Sequence, residues 1–358
     1  MASSPTPPDD LTLTVGGLAL TGWSQIEVTR GIEQMPNTFV IEATENSPVA
    51  RDAVGVREGS PCTVSLGADK VITGYVDTVL SSFSEGEHRV QLVGRGKCQD
   101  LVDCAAEWPK SQISGSNAQE IAAKLAAPYG ITVSNLSGPG PVVPQFNINV
   151  SDTPADVIEI ITRHAALLYY EDVDGNLILA EAGEEDAASG FVEGQNVLAA
   201  SVLKSMAQRY SLYRCSTLSV NTSGLIENND GLFFSDQPDP FVGRNRKLVM
   251  VAEGVQGGQE LAKKRALWEA ARRAGRGRRV VISCDNWRDG AGKLWTPNTL
   301  ASVDLPTLKL TDARYCIAAV TYRMGLNGGR TAEVELVPRE AFLPEPIQIQ
   351  PLLVGLTP

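Results

Sequence analysis

Apolar and polar residues alternate along the first hundred positions of the chain. Leu11, Leu13 and Val15 alternate with threonines, and Gly16-Gly17 marks a hairpin turn before Leu18-Ala19-Leu20. The same period of two continues at Ile26 and Val28, at Phe39, Ile41 and Ala43, and at Val64 and Leu66. Residues 71–80 and 89–93 are joined by the polar turn Ser84-Glu85-Gly86-Glu87. Short strands at this spacing predict a small barrel or sandwich over residues 11–96.

After Arg95 the period changes to that of a helix. Ser116 or Asn117 is placed to cap a helix, with Gln119 and Glu120 positioned for a capping box. Ala118, Ile121, Ala122 and Leu125 then form its buried stripe. Pro128 and Gly130 stop the helix, and Ile131-Thr132-Val133 reads as a strand. Thr153-Pro154, with Asp156 in the first turn, opens a second helix striped by Ile158, Ile161, Ala165 and Leu168. A hairpin follows, with 168–171 and 177–180 joined by a turn at Asp174-Gly175-Asn176. Residues 97–182 therefore read as an α+β insertion. Residues 181–195 are acidic and glycine-rich and read as a linker. Strands resume at 209–220 and 247–252, and a long helix is expected over 258–274. Its buried side is assigned to Leu267, Ala270, Ala271 and Ala274. Strands at 279–283, 300–304, 315–323 and 331–337 complete a second β domain over 183–342. Residues 1–10 read as a flexible arm, and 343–358 as a proline-rich tail without periodicity.

A short signature occurs twice. Val90-Gln91-Leu92-Val93-Gly94-Arg95 ends the first β stretch, and Val334-Glu335-Leu336-Val337-Pro338-Arg339 ends the last. A second echo runs in the same order, Pro36-Asn37-Thr38-Phe39 early and Pro297-Asn298-Thr299-Leu300 late. The echoes predict two related β modules separated by an insertion, and a trimer of such a chain would present six modules in a ring. The two triplets, Pro36, Asn37, Thr38 and Pro297, Asn298, Thr299, are expected at related places on a partner-facing side.

Charge and chemistry narrow the function. A formal charge of −11 argues against a nucleic-acid binder, whose surface would be basic. The six cysteines are scattered without a C-x-x-C pair and read as reduced thiols. The N-terminus has no signal-peptide pattern, and no apolar run is long enough to span a bilayer. Neither histidine, His88 nor His164, sits in a metal-binding spacing, and no nucleophile elbow or Walker sequence occurs. Gly94-Arg95-Gly96-Lys97 reads as a strand-end turn. Asp172-Val173-Asp174-Gly175-Asn176 departs from a calcium loop and reads as a hairpin turn. The sharpest charge feature is basic: Lys263, Lys264, Arg265, Arg272, Arg273, Arg276, Arg278 and Arg279 cluster on and after the long helix. Arg265, Arg272 and Arg276 share one helical face and are candidates to meet an acidic surface on a neighbouring chain.

Several segments carry a resemblance. They are Arg30-Gly31-Ile32-Glu33-Gln34-Met35-Pro36-Asn37-Thr38-Phe39, Thr73-Gly74-Tyr75-Val76, and Gly94-Arg95 leading into Asp100-Leu101-Val102-Asp103-Cys104. With the helix at 121–129 and Trp295-Thr296-Pro297-Asn298-Thr299-Leu300, they resemble the baseplate hub protein of Mu-like contractile-tailed phages over residues 11–342. The wider group includes late-control tail proteins and the hub half of type VI secretion spikes. The resemblance implies a mainly β fold, with two tube-like β-barrel domains flanking smaller α+β domains. It implies a homotrimer forming a pseudo-six-fold torus, which meets the hexameric tail tube on one face and a trimeric central spike on the other. Tape-measure and baseplate wedge proteins are further partners, and DNA is passing cargo in the lumen. The protein would reside in the virion tail baseplate after synthesis in the host bacterial cytoplasm. The family supplies no catalytic residues and no cofactor or metal, so no enzyme activity is expected. A spike on a separate polypeptide is expected too. The alternatives are the hub of a domesticated injection device of pyocin or type VI type, and a tail-associated cell-wall hydrolase.

Overall fold

The structure is a computed structural model. It describes residues 10–44, 55–85, 87–143, 145–183, 185–218, 232–252, 258–325, 329–344 and 346–347. The expected arm, apart from Asp10, and most of the expected tail lie outside the described residues.

Alternation produces strands where it predicts them. The first stretch forms β1 (Leu11–Val15), β2 (Leu18–Leu20), β3 (Gln25–Gly31), β4 (Thr38–Thr44), β5 (Pro61–Leu66), β6 (Asp69–Ser84) and β7 (Glu87–Gly96). The insertion follows with helix α1 (Gln99–Asp103), which the sequence pattern does not announce, then α2 (Ala118–Ala126) and α3 (Pro154–Ala165). Its sheet consists of β8 (Val133–Asn135), β9 (Leu168–Glu171) and β10 (Leu177–Ala180), in the order β8-β10-β9. Both long helices of the insertion start on reciprocal capping boxes, Asn117 with Glu120 and Thr153 with Asp156. Ile121, Leu125, Ile158 and Ile161 bury their stripes in a core belonging to the insertion.

The remainder contains β11 (Glu185–Asp186), β12 (Phe191–Val192) and β13 (Val197–Lys204), then β14 (Leu212–Leu218), β15 (Leu232–Pro238) and β16 (Lys247–Val251). Helix α4 (Gly258–Arg276) precedes β17 (Arg278–Cys284), β18 (Thr299–Leu305), β19 (Leu310–Gly325) and β20 (Gly329–Val337). Strands β14 to β16 do not join the second β domain, as the expected boundary 183–342 requires. They form a separate three-stranded sheet in the order β15-β14-β16, closed by α4 around Cys215, Ala252, Leu261, Ala262 and Ala266. The buried face of α4 also differs from the expected one. Ala262 and Ala266 let the helix approach the sheet closely, whereas Leu267 is 44% exposed.

The rest is one large sheet in the order β13-β17-β20-β19-β3-β4-β7-β6-β5-β1-β2, with β18 also on β19 and β11 and β12 on β18. Two halves with the same strand order lie within it. From the first strand outward, β3-β4-β7-β6-β5 matches β13-β17-β20-β19-β18; β1 then lies antiparallel on β5, whereas β12 lies parallel on β18. The long strands β6 and β19 hold equivalent places and have 16 residues each, and each carries a register shift. The repeated Val-x-Leu-Val signature falls on β7 and β20, which are equivalent strands. The halves join where residues 319–324 of β19 pair antiparallel with residues 26–31 of β3. Among the described residues the sheet path is open, from β13 to β2, and no strand pairing closes either half into a barrel.

A single hydrophobic core runs through both halves, from Leu11 and Phe39 to Trp287, Trp295 and Leu336. Phe191 stacks on Trp295 at 4.3 Å between ring centroids. Tyr322 hydrogen-bonds the Trp295 carbonyl, and Trp287 Nε1 donates to the Arg323 and Thr331 carbonyls at 3.0 and 3.1 Å. Because Phe191 is fully buried, Phe191→Ala is expected to lower stability by about 3–5 kcal/mol in urea unfolding.

Candidate functional site

The two Pro-Asn-Thr triplets converge on one strand of the insertion, β9. In each triplet the proline and asparagine are buried and the threonine is half-buried. They do not lead into equivalent strands. The first precedes β4, second in its half, and the second precedes β18, fifth in its half. The expectation of related places therefore does not hold in the strand order. What the triplets share is a target.

Asn37 grips Glu171. Its backbone N–H donates to Glu171 Oε2 at 2.8 Å, and its Nδ2 donates to the Glu171 carbonyl at 3.3 Å. The other carboxylate oxygen, Oε1, accepts from the Cys98 N–H at 2.8 Å. Gly96 is required beside it, since a Cβ there would lie 1.9 Å from Glu171 Oε2. Burial pushes the Glu171 carboxyl up to about 7, against the two backbone donors that pull it down.

Asn298 grips the neighbouring residue and the strand beyond. It sits in the left-handed region at φ 67. Its Oδ1 accepts from the Gly183 N–H at 2.7 Å, and its Nδ2 donates to the Tyr170 hydroxyl at 3.2 Å and the Glu181 carbonyl at 3.0 Å. Consecutive residues of β9, Tyr170 and Glu171, are thus held by one asparagine from each half. Arg30, Asn37, Tyr170, Glu171, Pro297 and Asn298 border the cleft between these elements, whose volume is about 240 Å³.

The tip of the same hairpin rests on the first half. Asp172 Oδ1 accepts from the Asp174 and Asn176 N–H groups at 2.8 Å each, which makes the acidic loop an Asx-type hairpin turn. Thr73 Oγ1 donates to the Val173 carbonyl at 2.9 Å, and Lys70 pairs with Asp174. Among the described residues, no group of three or more His, Cys, Asp or Glu is placed to hold a metal ion. Burial pushes the Cys62, Cys284 and Cys316 thiols up to about 12, which leaves them protonated and inert. No helix among the described residues is long and apolar enough to cross a membrane.

The basic face of α4 is fastened within the chain. Arg265 and Arg272 both lie over the Trp268 ring, at 4.6 and 5.1 Å from its centroid. Arg265 also pairs with Glu269 at 3.8 Å, and Arg276 pairs with Glu33 in the loop before β4. Arg272 borders a cavity of about 440 Å³ between that loop, α3 and residues 341–344. Burial lowers the pKa of its guanidinium, with Arg276 adding to the effect.

Two measurements test the clasp. Asn298→Ala removes the side-chain bonds to Gly183, Tyr170 and Glu181 and places a side chain without local polar compensation in the left-handed region. It is expected to cost about 2–4 kcal/mol in urea unfolding, with Asn298→Gly recovering about 1 kcal/mol of that. The second concerns pH. Glu171 titrates at about 7 when folded against an ordinary 4.5. The folded state therefore holds the proton more tightly, and the associated stabilisation is complete below pH 4.5 and is lost as pH rises through 7. The loss is on the order of 3 kcal/mol. Glu171→Gln should flatten that slope in urea midpoints measured between pH 4.5 and 7.

Comparison with known proteins places the chain. Residues 10–96 match the family model described as Mu phage baseplate assembly protein GpP-like, N-terminal. Residues 98–181 match baseplate hub protein gp44-like, second domain, and residues 258–345 match Mu phage baseplate assembly protein GpP, fourth domain. The chain is 28% identical over 340 residues to baseplate hub protein gp44 of Escherichia phage Mu, covering 93% of this chain and 89% of that protein. Its structure is similar to the crystal structure of the 43 kDa tail protein of prophage MuSo2 from Shewanella oneidensis. The TM-score is 0.83 at 29% identity, over 94% of this chain and 100% of that one. A tail protein from Neisseria meningitidis MC58 shares the fold, with a TM-score of 0.78 at 18% identity over 95% and 99% of the two chains. The matched pieces follow one another along this chain and are all baseplate domains, so the chain belongs to the family of baseplate hub proteins of Mu-like contractile-tailed phages.

Proposed function

We propose that this hub protein acts as a homotrimeric ring that joins a hexameric tail tube to a trimeric central spike and nucleates tail assembly. The observation that carries the reading is the strand order repeated within one chain. Three chains with two equivalent half-sheets each supply six, so a three-fold ring matches a six-fold tube on one face and a three-fold spike on the other. In this reading each half is one tube-like β-barrel module. The cyclic contact is heterologous and closes.

The role is structural and not enzymatic. Every matched family model is a baseplate domain, and the buried thiols are inert. The triplets Pro36, Asn37, Thr38 and Pro297, Asn298, Thr299 act from inside, fixing the insertion against both halves and so setting the face it presents to a neighbour. Arg265, Arg272 and Arg276 form a contact with an adjacent chain, their guanidinia already ordered by Trp268, Glu269 and Glu33. The net charge of −11 suits a lumen that repels passing DNA.

Light scattering on the purified chain tests the ring. The expected mass is near three chains. A chain that stays single at all concentrations and also in the presence of spike and tube proteins would overturn the trimer.

A further inference from the structure

The chain that follows β20 touches every unit of the molecule. Ala341 and Phe342 are buried with Ile32 of the first half, Cys316 of the second and Ala182 at the end of the insertion. Helix α4 closes on the same stretch. A Cβ at Gly275 would lie 2.6 Å from the Ala341 nitrogen, and Trp268 Nε1 donates to the Leu343 carbonyl. Farther on, the Ile347 carbonyl lies 3.4 Å from Nδ1 of His164, in the last turn of α3. A carbonyl only accepts, so Nδ1 carries the proton. The other ring nitrogen, Nε2, is buried without a hydrogen-bond partner.

This stretch forms part of the wall of the cavity of about 440 Å³. Leu343 and Pro344 border it together with Ala155, Glu159, Thr162 and Arg163, which share one face of α3. A volume of this size is in the range that holds a compact ligand, about 300–1,000 Å³. Most of the bordering residues are apolar, and the charged ones balance, Glu33 and Glu159 against Arg163 and Arg272. Both acids are already engaged, Glu33 with Arg276 and Glu159 with Arg163 at 3.8 Å. Balanced walls offer a charged occupant little, and the cavity suits an uncharged apolar segment.

Such a segment comes next in the sequence. Residues 348–358 lie outside the described residues. They read QIQPLLVGLTP, eleven residues without a charged side chain. They start from Ile347 at His164, one residue along α3 from Arg163 on the cavity border. Eleven extended residues reach roughly 36 Å, and the whole of α3 is roughly 18 Å long. Tethering at this point holds them at an effective concentration on the order of millimolar, which favours the chain's own segment over a separate partner.

We propose that residues 348–358 turn back along α3 of the same chain and fill this cavity with Leu352, Leu353 and Val354, strapping the insertion to α4. Asn37 and Asn298 hold the insertion through β9, and the strap holds it through α3. The strap forms within a single chain and does not depend on the ring.

The test uses the full chain. Ala155→Cys is combined in turn with Leu352→Cys, Leu353→Cys and Val354→Cys under mild oxidation at low protein concentration. At least one pair is expected to give an intrachain disulfide, seen as a band of single-chain mass on a non-reducing gel and as a linked peptide by mass spectrometry. No single variant should give that linked peptide. Separately, Leu352→Asp together with Leu353→Asp is expected to speed hydrogen exchange at the α3 amides about tenfold or more, while the amides of β5 exchange as in wild type. No linked peptide from any pair, together with unchanged exchange at α3, overturns the strap. Links found only between chains overturn it too, because they assign the cavity to a neighbour's segment.

Discussion

Six antiparallel residue pairs between β3 and β19 make one body of what would otherwise be two half-sheets. On the core side, Val28 and Tyr322 meet across this junction and both are fully buried. On the outer side, Thr29 and Thr321 share a hydrogen bond at 3.0 Å, and Arg323 reaches Glu27 and Glu333 at 3.2 and 2.7 Å. The apolar term dominates. Burying side chains of this size is worth about 1.5–3 kcal/mol each, whereas half-exposed ion pairs contribute about 0–1 kcal/mol. Without the junction, the core face of each half would end in water at Val28 and Tyr322.

The insertion depends on that body in turn. It has its own core, but its orientation is set by a few polar contacts on β9. The asymmetry of hydrogen-bond energetics explains why so few suffice. A formed bond contributes about 1 kcal/mol net, while a buried carboxylate stripped of its donors costs several times more. Glu171 is satisfied only when the Asn37 and Cys98 N–H groups are both in place. A shifted insertion would leave the carboxylate buried without partners, and that penalty defines the seat more sharply than the bonds themselves do.

The alternation of apolar residues was enough to locate the strands of the first half, and capping residues located α2 and α3. The Val-x-Leu-Val echo marked equivalent strands. Other features were illegible for identifiable reasons. Glu171 reads as an ordinary hairpin residue because the groups that bury it lie 134 and 73 residues away in sequence. The Pro-Asn-Thr echo pointed to symmetry but reflects a common partner, because a three-residue match carries no information on strand order. The face of α4 was misassigned because its alanines lie all round the helix, and the sheet it packs on selects Ala262 and Ala266. The separation of β14 to β16 from the large sheet depends on pairing, and periodicity does not encode which strand pairs with which.

A core shared across a sheet with a repeated strand order also bears on how such a chain can change over time. Side chains from both halves touch in a single packed interior, so a change of volume in one half is felt in the other, and the effects of contacting substitutions do not add. The two halves are thereby free to differ from each other in residues so long as they complement each other, and the strand order they share does not depend on their likeness. The Val-x-Leu-Val echo on β7 and β20 is then a likeness that packing does not require.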